Sequence, residues 1–84
     1  MEENRLYIGN LAFDSTEADL KATFGRHGVV TSVKLVTDRD TGRSRGFAFV
    51  ELADIRETDA AIEAMDGIEF LGRTLLVKEA FDRR

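Results

Sequence analysis

The stretch Arg45-Gly46-Phe47-Ala48-Phe49-Val50-Glu51-Leu52 leaves this chain little choice of fold. Its residues alternate with the period of a β-strand. Gly46, Ala48, Val50 and Leu52 fall on one face and are small or apolar enough to line a core. Arg45, Phe47, Phe49 and Glu51 fall on the other, so two phenylalanines sit between charged residues on the side that should meet water. A small domain has little reason to expose two aromatics unless something docks on them.

The neighbouring segments supply the rest of a two-layer domain. Arg5 to Asn10 is a first strand, with Leu6 and Ile8 pointing one way and Arg5, Tyr7 and Gly9 the other. Asp14-Ser15-Thr16 opens a helix with Thr16 as N-cap, and Asp19 three residues on resembles the second half of a capping box. Leu20 and Phe24, four apart, form its buried stripe with Ala18 or Ala22, and glycine between Gly25 and Gly28 provides a left-handed C-cap. His27, the single histidine, sits where a packing or dipole role is the ordinary one. Val29 to Thr37 is a β-branched second strand, with Val33 and Leu35 facing in and Ser32, Lys34 and Val36 facing out.

Residues 38–44 read as a turn into the Arg45–Leu52 strand. Asp54 and Glu57 then mark a second helix, whose Thr58, Ala61, Ile62 and Met65 share one face and which Asp66-Gly67 ends. A last strand runs to about Glu79, with Leu75 and Val77 inward and Thr74, Leu76 and Lys78 outward. The order is βαββαβ, an α+β ferredoxin-like arrangement. Right-handed crossovers place both helices on one sheet face and leave the other open.

Eighty-four residues, 43% of them hydrophobic, suffice for one small domain, taken as 1–84 with a core of about 5–80. There is no cysteine, so neither a disulfide framework nor a thiolate metal site is available, and no cofactor is expected. No apolar run reaches a membrane span, and the acidic start Met1-Glu2-Glu3-Asn4-Arg5 lacks the apolar segment of a secretory signal. An intracellular protein is expected, in the cytoplasm or, in a eukaryote, the nucleus.

The two strands that carry outward aromatics also carry a pair of motifs. The octamer fits the pattern basic, Gly, aromatic, Gly or Ala, aromatic, Val, any residue, aromatic at seven of eight positions, failing only at Leu52. Leu6-Tyr7-Ile8-Gly9-Asn10-Leu11 fits the shorter partner motif, at the right separation. On these residues the chain resembles the RNA-recognition motif family, especially small single-domain bacterial RNA-binding proteins and the first halves of plant glycine-rich ones. The resemblance spans roughly residues 5 to 80. It implies a four-stranded antiparallel sheet in the order 4-1-3-2, with Tyr7 beside Phe47 and Phe49. It also implies that Tyr7 and Phe49 stack on two neighbouring bases, Phe47 packs on the sugars between them, and Arg45 meets phosphate. The candidate RNA-binding set is Tyr7, Phe47, Phe49, Arg45, Lys34, Lys78, Arg43, Arg39, Asn10 and Arg5. The expected partner is single-stranded RNA, with single-stranded DNA as the variant, and the expected state is a monomer.

A net charge of −4 runs against a nucleic-acid binder until its distribution is considered. Five bases and two acids lie between Arg26 and Arg45, whereas six acids and one base lie between Asp54 and Glu69. The acidic segment is largely the second helix, on the covered side, and a Debye length of roughly 8 Å screens it from the sheet. Two other function classes are weighed. A protein-interaction module on the same fold would carry an Arg-x-Phe element after the second helix, but Ile68 stands where that arginine belongs. The aromatic face could also be covered by the chain's own Phe81, or extended by Leu76 and Val36 toward a protein partner. An enzyme such as a small acylphosphatase needs a glycine-rich phosphate cradle, which Gly9-Asn10-Leu11-Ala12-Phe13 does not offer.

Overall fold

The computed structural model describes residues 4–80. Six strands and two helices follow one another as β1 (Arg5–Gly9), α1 (Glu17–Phe24), β2 (Val30–Thr37), β3 (Ser44–Leu52), α2 (Ile55–Met65), β4 (Glu69–Phe70), β5 (Arg73–Thr74) and β6 (Leu76–Glu79). The main sheet is antiparallel in the order β2-β3-β1-β6. Since β6 is the fourth long strand of the βαββαβ order, this is the expected 4-1-3-2 arrangement. The fold is α+β and ferredoxin-like.

One apolar cluster joins the sheet to both helices. Leu6, Ile8, Ala48, Val50 and Val77 of the sheet meet Leu20 and Phe24 of α1 and Ala61 and Met65 of α2, all buried. Val33 and Leu35 pack on this cluster from the edge strand, as their outward neighbours Ser32 and Lys34 do not. The helix ends are closed chemically. Thr16 Oγ1 accepts from the Asp19 backbone N–H and Asp19 Oδ2 accepts from that of Thr16, both at 3.1 Å, which is the expected capping box. Asp54 Oδ1 accepts from the Arg56 backbone N–H at 2.8 Å, and the Arg56 side chain, followed by that N–H, holds the Asp54 carboxyl below the ordinary carboxylate value. Thr58 is fully buried on α2, its hydroxyl satisfied by the Ile55 carbonyl.

The edges of the sheet are also closed. Glu17 Oε2 accepts from the Leu35 backbone N–H on the outer side of β2 at 3.1 Å, and a bulge at Thr31 shifts register between Val30 and Ser32. Both features blunt an edge that would otherwise invite strand addition. On the opposite edge, Asp66 Oδ1 accepts from the Val77 backbone N–H at 2.9 Å.

Four expectations are corrected. Gly25 ends α1 in the right-handed region, φ −62°, with its N–H bonded to the Lys21 carbonyl and the Arg26 and His27 N–H groups bonded to those of Thr23 and Phe24, so the helix tightens at its end rather than reversing. Ala18 and Ala22 are exposed, and eight residues bring only Leu20 and Phe24 under cover. Thr74 belongs to a separate two-stranded hairpin, β4–β5, instead of the last strand. Gly46 does not fill the core with Ala48 and Val50. Between Leu35/Ala48 and Thr37/Ser44 the pairing advances two residues on β2 and four on β3, and Gly46 sits in this irregularity at φ +92°. Its carbonyl accepts from Leu11 N–H at 2.9 Å, tying β3 to the loop after β1. Phe81 lies outside the described residues.

Two stability predictions follow from backbone conformation. Gly46→Ala has ordinary space for its methyl, 3.5 Å from Phe13 Cε1, but forces an L-residue to φ +92°. It should destabilise the fold by about 1–2 kcal/mol in a urea titration with unchanged m-value. In the β4–β5 turn, Leu71 has φ +51° and is exposed, followed by Gly72 at +86°, the pattern of a type I′ hairpin. Leu71→Asn should therefore raise stability by about 0.5–1 kcal/mol, measured the same way, and a loss would refute the strain argument.

Candidate nucleic-acid interface

The face of the sheet away from the helices carries three rings on two adjacent strands. Tyr7 of β1 stands opposite Phe49 of β3 in the register, and Phe47 lies two residues earlier on β3. Their centroids form a near-equilateral triangle: Tyr7–Phe47 5.9 Å, Tyr7–Phe49 6.0 Å and Phe47–Phe49 6.2 Å. Phe47 and Phe49 meet edge to face at 87°, and Tyr7 meets Phe49 at 63°. Edge-to-face contact is among the favoured arrangements of aromatic pairs. All three are half-buried, so each presents one surface outward.

Tyr7 depends on the residue two places after it. A Cβ on Gly9 would lie 2.8 Å from Tyr7 Cε2 and 3.0 Å from its hydroxyl oxygen. The phenol therefore lies along β1 over the bare backbone of Gly9. The group that approaches the bare backbone of Gly9 is the protein's own ring.

Cations ring this platform. Arg5 Cζ lies 5.4 Å from the Phe49 centroid, and Lys78 Nζ lies 5.6 Å from that of Tyr7. Lys78 is opposite Tyr7 across β1–β6, and Lys34 is opposite Phe49 across β2–β3. Arg45 is exposed at the start of β3. Arg39 and Arg43 are exposed on the loop between β2 and β3. That loop is shaped by Asp38, whose Oδ1 accepts from the backbone N–H groups of Asp40 at 2.8 Å and Thr41 at 3.2 Å. Those two hydrogen bonds, with a smaller contribution from Arg45, hold the Asp38 carboxyl below its ordinary value.

Asn10 stands apart from the rest of the set. At φ +59° it leaves β1, donates from Nδ2 to the Thr74 carbonyl at 2.6 Å and accepts at Oδ1 from Arg73 Nη2 at 2.6 Å. Both ends of its amide are spent on fastening the β4–β5 hairpin beside the sheet. Arg73 is exposed but has this partner.

Sequence reasoning gave no role to Glu51. Its Oε2 lies 3.8 Å from Arg5 Nε, and together with Arg5, Ser32, Lys34, Val36 and Phe49 it lines a depression of about 320 Å³ on the open face. The signal was in the alternation, which puts Glu51 on the same face as Phe49. Among the described residues no group of three His, Asp or Glu side chains could hold a metal ion, and no helix is long and apolar enough to cross a membrane.

Residues 6–76 match the family described as RNA recognition motif. RbpA of Synechocystis sp. is 55% identical over 78 residues, covering 93% of this chain and 77% of the relative. Among solved structures, RNA Binding Protein PG1 is 48% identical with a TM-score of 0.89, covering 95% of this chain and 96% of that one. A Sxl-lethal protein/RNA complex is 32% identical with a TM-score of 0.89, covering 94% of this chain and 48% of the other. With its fold, both motifs and these likenesses in agreement, the chain belongs to the RNA recognition motif family, whose members are non-catalytic binding domains.

Proposed function

We propose that this chain binds single-stranded RNA by stacking unpaired bases on Tyr7 and Phe49, with Phe47 against the sugars between them. The observation that carries the reading is the triangle of rings on the helix-free face of the sheet, each about 6 Å from the other two and bordered by Arg5, Lys34 and Lys78. Unstacked bases have flat faces that match such rings, whereas bases within a duplex keep theirs buried in the stack. The similarity to RNA Binding Protein PG1 and to a protein solved as an RNA complex supports the same assignment.

The basic residues divide by position. Lys34, Lys78 and Arg5 border the rings and neutralise charge next to the stacked bases. Arg45, Arg39 and Arg43 lie toward the β2–β3 loop, where the backbone of a strand crossing the sheet would leave it. Asn10 acts indirectly, by holding the hairpin through Thr74 and Arg73. Single-stranded DNA offers the same stacking faces, and comparison of matched RNA and DNA oligonucleotides measures what the 2′-OH contributes. The chain acts as a monomer in this reading, since one face supplies the whole site.

Phe49→Ala removes one platform without touching the core and should weaken RNA binding by about 1–3 kcal/mol, roughly 5- to 150-fold, while thermal unfolding stays cooperative. Unchanged affinity in fluorescence-anisotropy titrations would remove stacking from the mechanism. The same titrations should show log K falling with log salt at a slope of about −2, from some three neutralised phosphates. Gly9→Ala tests the position of the rings rather than their presence. Its methyl must push Tyr7 off β1, so RNA affinity should fall about tenfold with the amide spectrum of the helices unchanged. Affinity equal to that of the parent would show that Tyr7 needs no fixed pose.

A further inference from the structure

The depression beside Phe49 has a chemistry that stacking alone does not use. Its apolar surfaces are Phe49 and Val36, and its rim is Arg5, Lys34, Ser32 and Glu51. Glu51 is the single carboxylate among these lining residues. An anion on a surface meant for a polyanion works against phosphate, so phosphate is the wrong occupant for this spot. Its pairing with Arg5 is loose, 3.8 Å between Nε and Oε2, with side chains 28% and 36% exposed. A surface pair of that kind contributes little to stability, and a better donor can displace it.

Resting on the RNA-binding reading above, we propose that this depression is a guanine subsite, in which a base stacked on Phe49 presents its Watson–Crick edge to the Glu51 carboxylate. The edges of the four bases decide the choice. Guanine has two adjacent donors, N1–H and the N2 amino group, which match the two oxygens of one carboxylate, and its O6 accepts from a cation such as Lys34. Uracil has one donor, N3–H, flanked by two carbonyl oxygens that a carboxylate repels. Cytosine and adenine each place a ring-nitrogen lone pair next to their amino group, so they satisfy one oxygen and confront the other.

The geometry supports a reader at this place. Glu51 and Phe49 are two residues apart on β3, so both project to the open face. Ser32 faces Glu51 and Lys34 faces Phe49 across the β2–β3 register, so the cation flanks the ring from β2 and the acceptor follows it two residues on along β3. The volume of about 320 Å³ admits one base.

The test uses the full chain and a uridine hexamer, with guanosine, inosine, adenosine or cytidine substituted in turn at one central position. Guanosine should bind about tenfold tighter than uridine at that position. Inosine, which keeps N1–H but lacks the N2 amino group, should lose about fivefold relative to guanosine. Glu51→Gln should abolish the guanosine preference while tightening binding of the uridine hexamer about twofold, because one negative charge leaves the face. Equal affinity for all bases, or inosine equal to guanosine, overturns the subsite while leaving RNA binding intact. A Glu51→Gln effect of the same size and sign on guanosine and uridine oligonucleotides also overturns it, since the carboxylate would then act only through charge or folding. If no oligonucleotide binds at low salt, the RNA reading fails and the subsite with it.

Discussion

The antiparallel register of β1 on β3 sets Leu6 against Val50 and Tyr7 against Phe49. These are two faces of one constraint. Leu6 and Val50 are fully buried in the core cluster, and burying them fixes which way Tyr7 and Phe49 must point. Because side chains alternate along a strand, a slip of one residue would carry the rings into the core and the aliphatic residues into water. The core therefore specifies which face carries the rings, and the energy that holds them outward is the hydrophobic energy of the layer beneath. Most of the other contacts serve this register. Leu11 N–H bonded to Gly46 fastens the end of β1 to β3, and Asp66 and Glu17 close backbone groups on the outer strands.

Charge is arranged by the same alternation. The outward positions of the sheet carry Arg5, Lys34, Arg45 and Lys78, while Glu57, Asp59 and Glu63 lie on α2 behind it. An overall charge of −4 is thus compatible with a basic front, since the two sets are separated by the thickness of the domain and screened by salt. In the RNA-binding reading proposed above, an acidic back would also disfavour nonspecific attachment of nucleic acid away from the sheet. Arg5 and Lys78 additionally sit near aromatic faces, which keeps their charge next to the rings.

Much of this was legible in the sequence, and the parts that were not share a cause. Strands and helices followed from period-two and period-four patterns, and the capping box at Thr16 from residue types at fixed spacing. The rings and flanking cations were found because alternation places them together. What escaped depends on backbone that leaves the regular pattern. Gly46 satisfied the alternation as a small inward residue, yet it sits in a bulge at positive φ. Gly25 had the composition of a left-handed cap but stays right-handed, because its N–H still finds the Lys21 carbonyl in the last turn of α1. The hairpin at residues 69–74 is two residues per strand, too short to show a period, and its turn carries Leu71 where Asn or Gly would have signalled it. Asn10 and Arg73 are 63 residues apart, so no local pattern links them.

The rings themselves show why the face is tightly fixed before anything binds. Each aromatic contacts the other two, Tyr7 is laid over Gly9, and Phe49 has Arg5 beside it. A side chain held by neighbours on several sides has already lost its rotamer freedom during folding. That cost, about 0.5–1.5 kcal/mol for each side chain immobilised at an interface, is then not charged again on association. In the stacking mechanism proposed above, a platform already fixed by the core would leave more of the stacking energy to offset the ordering of a short, flexible strand. The same rigidity fixes the border of Phe49 relative to Ser32, Lys34 and Glu51, and the proposed subsite depends on it, since only a fixed border would let hydrogen bonding at the rim tell one base from another.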